Sequence, residues 1–344
     1  MTIEVMNFER TKKSLLDCFD KDSFNFSDKD DIQSIEFLAV QDTILGNISF
    51  DLLKYESSLF FKGQEYIIKK CVPHALGDVV AKEIVAIHIM FTIQDGYQYD
   101  TISGVKSINE CLTHVFKADK NGFKYVVDNI NGAISRVEQE NFGDANLLKL
   151  IEEIMEDYDV ALIRDNKTIT FIPNQYFKKK TNNQIRYLYN TDDVSFEIDT
   201  YDFKTQIMGF GKRQDAKEGQ EVGDWYFEPV VYTSPKASEW GVRIQESVRD
   251  ERYTIRSNMI QRLKRDLRDY PRVVGKVSMK ELNFDVHRGD LIRFIYEPLN
   301  IDTYIKVVGI TDNPYSNEPP QIDLDSNKRT MLDYMLMLMR GGIG

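Results

Sequence analysis

Chemistry-bearing side chains are sparse in this chain of 344 residues, which has four histidines and three cysteines. Cys71-x-x-His74 and Cys111-x-x-His114 have a spacing that metal sites use. Zinc, however, needs three or four ligands, and no further paired ligands, HExxH motif or His-x-His pair accompanies them. The second pair falls on an expected helix, where residues three apart meet, so a Cys111 thiol with His114 as its base is geometrically possible. No CxxC or familiar nucleophile context surrounds it, and packing in a core or at the surface is the expected fate of both pairs. Gly209-Phe210-Gly211-Lys212 has part of a phosphate loop but lacks the full GxxxxGK[ST] span and the helix after it, which points to hairpin glycines. Glu152-Glu153 supplies two carboxylates of the kind glycosidases use. Adjacent helix residues point in different directions, so a solvated face is expected. Arg288-Gly289-Asp290 spells an adhesion tripeptide and reads as a turn before a strand. No catalytic, metal-binding or cofactor-binding residue is assigned from this survey, and no cofactor is expected.

Composition narrows the class further. Lys plus Arg total 44 against 55 acids, for a net charge of −11. Such a chain is a poor candidate for gripping phosphate backbones, which takes Lys and Arg. The acidity reads either as solubility through self-repulsion or as a surface that nucleic acid passes without sticking. Basic residues do cluster at Lys178-Lys179-Lys180 and along Arg252, Arg256, Arg262, Arg265 and Arg268. Interleaved acids make a solvated helix face the ordinary reading, with a partner-docking or phosphate-facing surface as the other. An odd number of widely spaced cysteines is no disulfide framework and fits a reducing cytoplasm, where the chain is expected to be made. No signal peptide and no window of 18 apolar residues is visible, so no membrane span is expected.

The elements that must position these residues change character along the chain. Residues 1–104 read mainly as strands, with a tight hairpin around Gly63-Gln64 and a β-branched stretch at 79–94. A capping box, Ser107-Ile108-Asn109-Glu110, starts a helix at 107. Asp144 is a fair N-cap for a second helix, whose Leu147, Leu148, Ile151, Ile154 and Met155 recur at helical spacing. Asp165-Asn166 between two apolar runs signals another hairpin. Residues 177–183 are polar and basic and mark a boundary, beyond which strand character returns. A long charged helix over 251–270 ends at Tyr270-Pro271, and short strands follow.

The expected fold class is therefore α+β and multidomain, with two β-barrel-like tube domains, an α+β domain and a helix-bearing inserted domain. Residues 1–104 form the first tube domain and 105–183 the α+β domain. The second tube domain takes 184–213 and 272–330, interrupted by the insert 214–271. Residues 331–344 are an apolar, Met-rich C-terminal segment, too short to cross a bilayer. It is expected to bury itself against this chain, a second copy or another protein, with docking preferred.

Several ordered segments resemble the prophage endopeptidase tail family, the tail-associated hub proteins of siphophages. These are Gln206-Ile207-Met208-Gly209-Phe210-Gly211-Lys212, then the passage through Leu267-Arg268-Asp269-Tyr270-Pro271, then Gly289-Asp290-Leu291-Ile292 and Ile305-Lys306-Val307-Val308-Gly309-Ile310. Their order spans most of residues 30–330. The resemblance implies a fold similar to contractile-phage baseplate hubs, a homotrimer forming a pseudo-sixfold ring continuous with the tail tube, and residence in the virion at the tail tip. It implies the distal tail protein, the tape-measure protein and receptor-binding or baseplate proteins as partners, and an acidic lumen through which DNA passes unbound during ejection. Wall-degrading activity in such proteins belongs to a C-terminal extension, so a virion structural protein without its own hydrolase is expected. The rival readings are a tail peptidase or muramidase with a dispersed site, and a glycan-binding tail module using Trp225 and Trp240.

Overall fold

The computed structural model describes residues 2–29, 32–41, 48–177, 179–216, 222–269, 272–280, 284, 286–299 and 301–325. The expected Pro271 helix stop, the Lys178 position of the basic run and the Met-rich segment 331–344 lie outside the described residues. Four separate apolar clusters organise the rest.

The first cluster sits under the strands Glu4–Met6, Lys13–Leu15, Asn25–Lys29, Ile32–Val40, Ser58–Phe61, Gln64–Leu76 and Val79–His88, paired antiparallel. Alternation along Ile32–Val40 sends Ile35, Phe37 and Ala39 inward, as a strand with one buried face requires. The hairpin turn uses Lys62 and Gly63, with φ of 50° and 77°, because Phe61 pairs with Gln64. Two left-handed residues in a row match the twist of the flanking strands. After Val79–His88 the β-branched run does not continue as strand: it closes into a 3-10 turn, Ile89–Asp95, whose Met90 amide is capped by the His88 side chain.

The second cluster lies between helices Ile108–Phe116 and Leu147–Asp157 and the strands around them. Tyr97–Lys106 pairs with Val137–Asn146, and Val160–Asp165 pairs with Thr168–Pro173, which in turn pairs in parallel with Lys124–Val127. The capping box is formed: the Ser107 hydroxyl accepts from the Glu110 amide at 3.4 Å, and the Glu110 carboxylate accepts from the Ser107 amide at 2.8 Å. The second helix is capped by Asn146, whose Oδ1 accepts from the Lys149 amide at 2.9 Å. Asp144, the expected cap, instead has φ of 47° and receives the Tyr97 hydroxyl on its carbonyl. The strand runs two residues further than its sequence suggests, which moves the helix start with it.

The third cluster is enclosed by Lys179–Arg186, Thr191–Asp199, Arg272–Met279, Asp290–Tyr296, Ile301–Asp312 and Gln321–Asp325. Ile301–Asp312 pairs along its first half with Asp290–Tyr296 and along its second with Gln321–Asp325. A break in register between Val307 and Gly309 separates the two halves, and bending at such a bulge curls the sheet around its core. The last residues of the same strand pair with the first β-region, Ile310 opposite Asp28 and Asp312 opposite Phe26. One sheet of thirteen strands thus contains both the first described strand, Glu4–Met6, and the last, Gln321–Asp325. Tyr315 extends the junction by packing edge-on against Phe24, ring centroids 4.9 Å apart.

The fourth cluster corrects two expectations. Gln206–Phe210, expected in the second tube domain, does not pair with the strands around the third cluster; it pairs with Val230–Thr233 and Val248–Arg249 in a small sheet of its own. The helix lying on that sheet covers Arg256–Asp266, 11 residues, in place of the long helix expected over 251–270. Ile255 precedes it without a side-chain cap, and at Leu267 the backbone turns extended. Asp250 holds the upstream loop in place by accepting from the Arg252 amide at 3.1 Å. The polar residues that looked like a first helical turn are spent on loop contacts.

Candidate functional site

The Cys/His pairs do not build a reactive centre. Cys111 is fully buried and its sulfur lies 3.2 Å from the Tyr158 hydroxyl. That hydroxyl donates to the Lys106 carbonyl at 3.0 Å, which leaves the thiol to donate to the phenol oxygen. Burial pushes the Cys111 thiol up to about 11, the wrong direction for a nucleophile. The His114 ring turns elsewhere, with Nε2 2.8 Å from the Asp100 carbonyl oxygen. His74 and Cys71 pair with Ala81 and Ile84 across an ordinary β-ladder. Among the described residues no cluster of His, Cys, Asp or Glu is placed to hold a metal ion. Asp290 of the RGD triplet is a buried turn residue that accepts from the His287 amide at 2.9 Å.

The glycine segment has a packing role. A Cβ at Gly209 would lie 2.6 Å from Met259 Sδ and 3.0 Å from Leu263 Cδ2, both on the helix Arg256–Asp266. One at Gly211 would meet the Phe227 ring at 2.4 Å and the Tyr253 carbonyl at 2.5 Å. The glycines let helix and loop lie directly on the strand, and no phosphate-binding loop is formed. Next to them Trp225 is covered on one face by the Arg213 guanidinium, 3.6 Å from the ring centroid, and Trp240 packs edge-on against buried Phe203. Both tryptophans are half-buried, each engaged by a neighbouring guanidinium or ring.

The convergent polar groups lie in the seams between the four units. In one seam two hairpin tips interlock. Asn166 donates its amide to Gln64 Oε1 at 2.7 Å, receives the Glu65 amide on Oδ1 at 2.8 Å, and reaches the Gly63 carbonyl at 3.1 Å. Behind it, fully buried His88 accepts the Met90 amide on Nδ1 at 3.2 Å. Its Nε2 therefore carries the proton and donates to Gln64 Oε1 at 3.1 Å. Burial, with Arg164 adding repulsion, lowers the His88 pKa to about 4, so the ring is neutral.

A second seam brings three units to one carboxylate. Asp28, on the strand that pairs with Ile301–Asp312, lies 3.2 Å from Arg164 and 3.8 Å from Arg288. Arg164 comes from the α+β unit, is nearly buried, and stacks its guanidinium 5.2 Å from the Phe91 centroid. Burial pulls its pKa below the ordinary arginine value, against the pull of Asp28. These groups line a cleft of about 1120 Å³ shared by Phe26, Phe177 and His287.

The third seam joins the helix-bearing unit to the α+β unit, and it overturns two sequence readings. Glu153, expected on a solvated face, is largely buried and sits 2.8 Å from Arg252 and 3.8 Å from Arg262. Arg265 pairs with Asp157 and lies 3.4 Å from Glu156. Glu140 accepts from the Thr254 amide and hydroxyl and from Asn258 Nδ2, the last at 3.3 Å. Burial works against the Arg252 charge, but Asp250 and Glu153 outweigh it and raise its pKa above the ordinary value. Arg252, Arg262 and Arg265 of the basic row are therefore docked against acids of the α+β unit. Periodicity alone gave no sign of this, because interleaved charge reads the same whether it meets water or a partner.

A sheet-rich chain whose polar groups are spent on joints between units has the build of a structural component. Its relatives agree. Residues 3–88 match the model of the prophage endopeptidase tail N-terminal domain, 95–171 the prophage endopeptidase tail domain, and 179–335 the prophage endopeptidase tail. Prophage tail protein gp18 of Listeria monocytogenes EGD-e is 41% identical over 99% of both chains, with a TM-score of 0.67. The chain belongs to the prophage endopeptidase tail family and is a phage tail protein. The 43 kDa tail protein of prophage MuSo2 from Shewanella oneidensis shares the fold at 12% identity, over 97% of this chain and 100% of that one, TM-score 0.63. A tail protein of Neisseria meningitidis MC58 does so at 9% identity, over 95% and 96%, TM-score 0.58. No curated protein matches the chain. Among the described residues no helix is long and apolar enough to cross a membrane.

Proposed function

We infer that this protein is a structural subunit of a phage tail tip, a hub whose two β-regions stand side by side as tube domains. Three copies close a pseudo-sixfold ring that continues the tail tube and lets DNA pass into the host. The observation that carries this reading is the strand junction within one chain, where Ile310, Thr311 and Asp312 pair with Asp28, Ser27 and Phe26. Two β-units joined edge to edge are the repeating step a ring of like units needs, and closure spares the assembly exposed strand edges. The net charge of −11 supports a lumen that repels DNA. The distal tail, tape-measure and baseplate or receptor-binding proteins are the neighbours such a hub would meet, in a virion rather than a membrane.

The chain acts by shape and cuts no bond. Burial and raised pKa at Cys111, with His114 turned to a carbonyl, favour this over a wall-degrading enzyme. The test is particle mass in solution together with negative-stain images of tail tips labelled for this protein. A three-copy ring at the tube's distal end is expected. Label elsewhere on the virion, or cell-wall clearing by the purified chain that is lost on substituting Cys111 or an acid, would overturn the reading.

A further inference from the structure

The helix-bearing unit is attached to the rest of the molecule in an unusual way. Both chain crossings leave from neighbouring strands: Asp199, at the end of one, pairs with Arg272, at the start of the other. The Lys204 amide still donates to the Arg268 carbonyl at 2.9 Å beyond that point. Two adjacent crossings define a single axis about which a unit can turn, as hinge motions use a few residues at element ends. The unit also carries its own apolar core of Ile207, Val230, Met259, Leu263 and Leu267, so it need not unfold to move. That core shares no residue with the neighbouring α+β core.

Away from the axis, a group of polar contacts joins the arm to the α+β unit. Arg252 and Arg262 meet Glu153, Arg265 meets Asp157 and Glu156, and Glu140 takes the Thr254 and Asn258 donors. Asn141 adds a bond to the Arg252 carbonyl. Parting these pairs returns their charges to water, which solvates them well. The α+β side gives only acids to these ion pairs, whereas on the arm Arg252, Arg262 and Arg265 also pair with the arm's own Asp250 and Asp266.

We propose that residues 204–216 and 222–269 belong to a hinged arm clasped to the α+β unit by ion pairs, and that the arm swings out as a folded body when the clasp is screened or out-competed. This stands apart from the ring reading, since it concerns a movement within one chain. Opening would uncover Glu140, Glu153, Glu156 and Asp157 on one side and Arg252, Arg262 and Arg265 on the other.

Amide hydrogen exchange on the intact protein tests it, with the Thr254 amide reporting the clasp and the Gln206–Phe210 strand reporting the arm's own core. The Debye length shrinks to about 3 Å at 1 M salt. Raising salt from low to molar should speed Thr254 exchange about tenfold or more while the strand amides stay protected, because local opening exchanges only what it exposes. Glu140→Gln combined with Glu153→Gln should give that fast exchange already at low salt and leave little further salt response. Three results would overturn the proposal: Thr254 exchange indifferent to salt, Thr254 already unprotected at low salt, or a rise matched by the strand amides, which signals unfolding of the arm.

Discussion

His88 shows how a single side chain ties the first β-unit to the second core. Both its nitrogens are committed, one to the Met90 amide and one to Gln64, and burial holds its pKa near about 4. The sign follows directly. A histidine whose folded pKa lies below its unfolded value of about 6.5 leaves the unfolded chain holding more protons between those two values. Its stabilisation is complete above the unfolded value and is lost as pH falls through the window, by about 3 kcal/mol in all. Urea unfolding at pH 7 and pH 4.5 should therefore show a fall in stability that His88→Asn makes shallower by most of that amount. Asn166, which faces the same Gln64, carries a separate prediction. Asn166→Ala strips its side-chain bonds to Glu65 and Gly63, and losing a bonded partner at a half-buried seam costs about 1–3 kcal/mol. The melting temperature should drop accordingly, and Asn166→Asp should recover part of it by keeping the oxygen that the Glu65 amide reaches. Equal melting of all three proteins would show that the interlocked tips add nothing.

Elements were legible where local chemistry decides them and obscure where packing does. Ser107 and Glu110 announce a capping box that forms as written, and Ser107→Ala should cost about 1 kcal/mol, readable as a lower urea midpoint. Both hairpins are present with their turns one residue off the expected place, at Lys62-Gly63 and after Asp165, because the pairing register, not the residue types, fixes the tip. The helix before Leu267 was overdrawn, since arginines and acids with good helix propensity continue upstream into a loop that Asp250 and Glu140 hold open. The glycines at 209 and 211 were visible as special but not as to purpose. Their reason lies in Met259 and Phe227, tens of residues away. Gly209→Ala should strain that contact and destabilise the arm by about 1–3 kcal/mol, as overpacking does. Hydrogen exchange should register the loss in residues 206–267 first. Exchange that quickens evenly over the whole chain would mean the glycine serves no local fit.

At the scale of the whole molecule, the sequence conveyed two β-regions with an interruption between them, but not that the regions share one sheet. Pairing between residues 26–28 and 310–312 spans nearly the full chain, and no periodicity encodes a contact at that separation. The proposed ring turns on the same junction. If the two β-units merely fold near each other, loosening their shared ladder should leave assembly intact. If they are neighbouring segments of a ring, the junction sets the angle between them and every copy repeats it. Proline removes a ladder donor and clashes with a central strand. Ser27→Pro and Thr311→Pro attack the junction from its two sides, while each flanking unit keeps its own core. Both variants should remain folded, melting a few degrees lower by about 1–3 kcal/mol, yet fail to form rings in solution and fail to enter tail tips. Ser14→Pro, on the outlying strand Lys13–Leu15, controls for proline strain away from the junction. Rings of normal size from Ser27→Pro or Thr311→Pro would separate the strand junction from assembly and remove the main support for a hub.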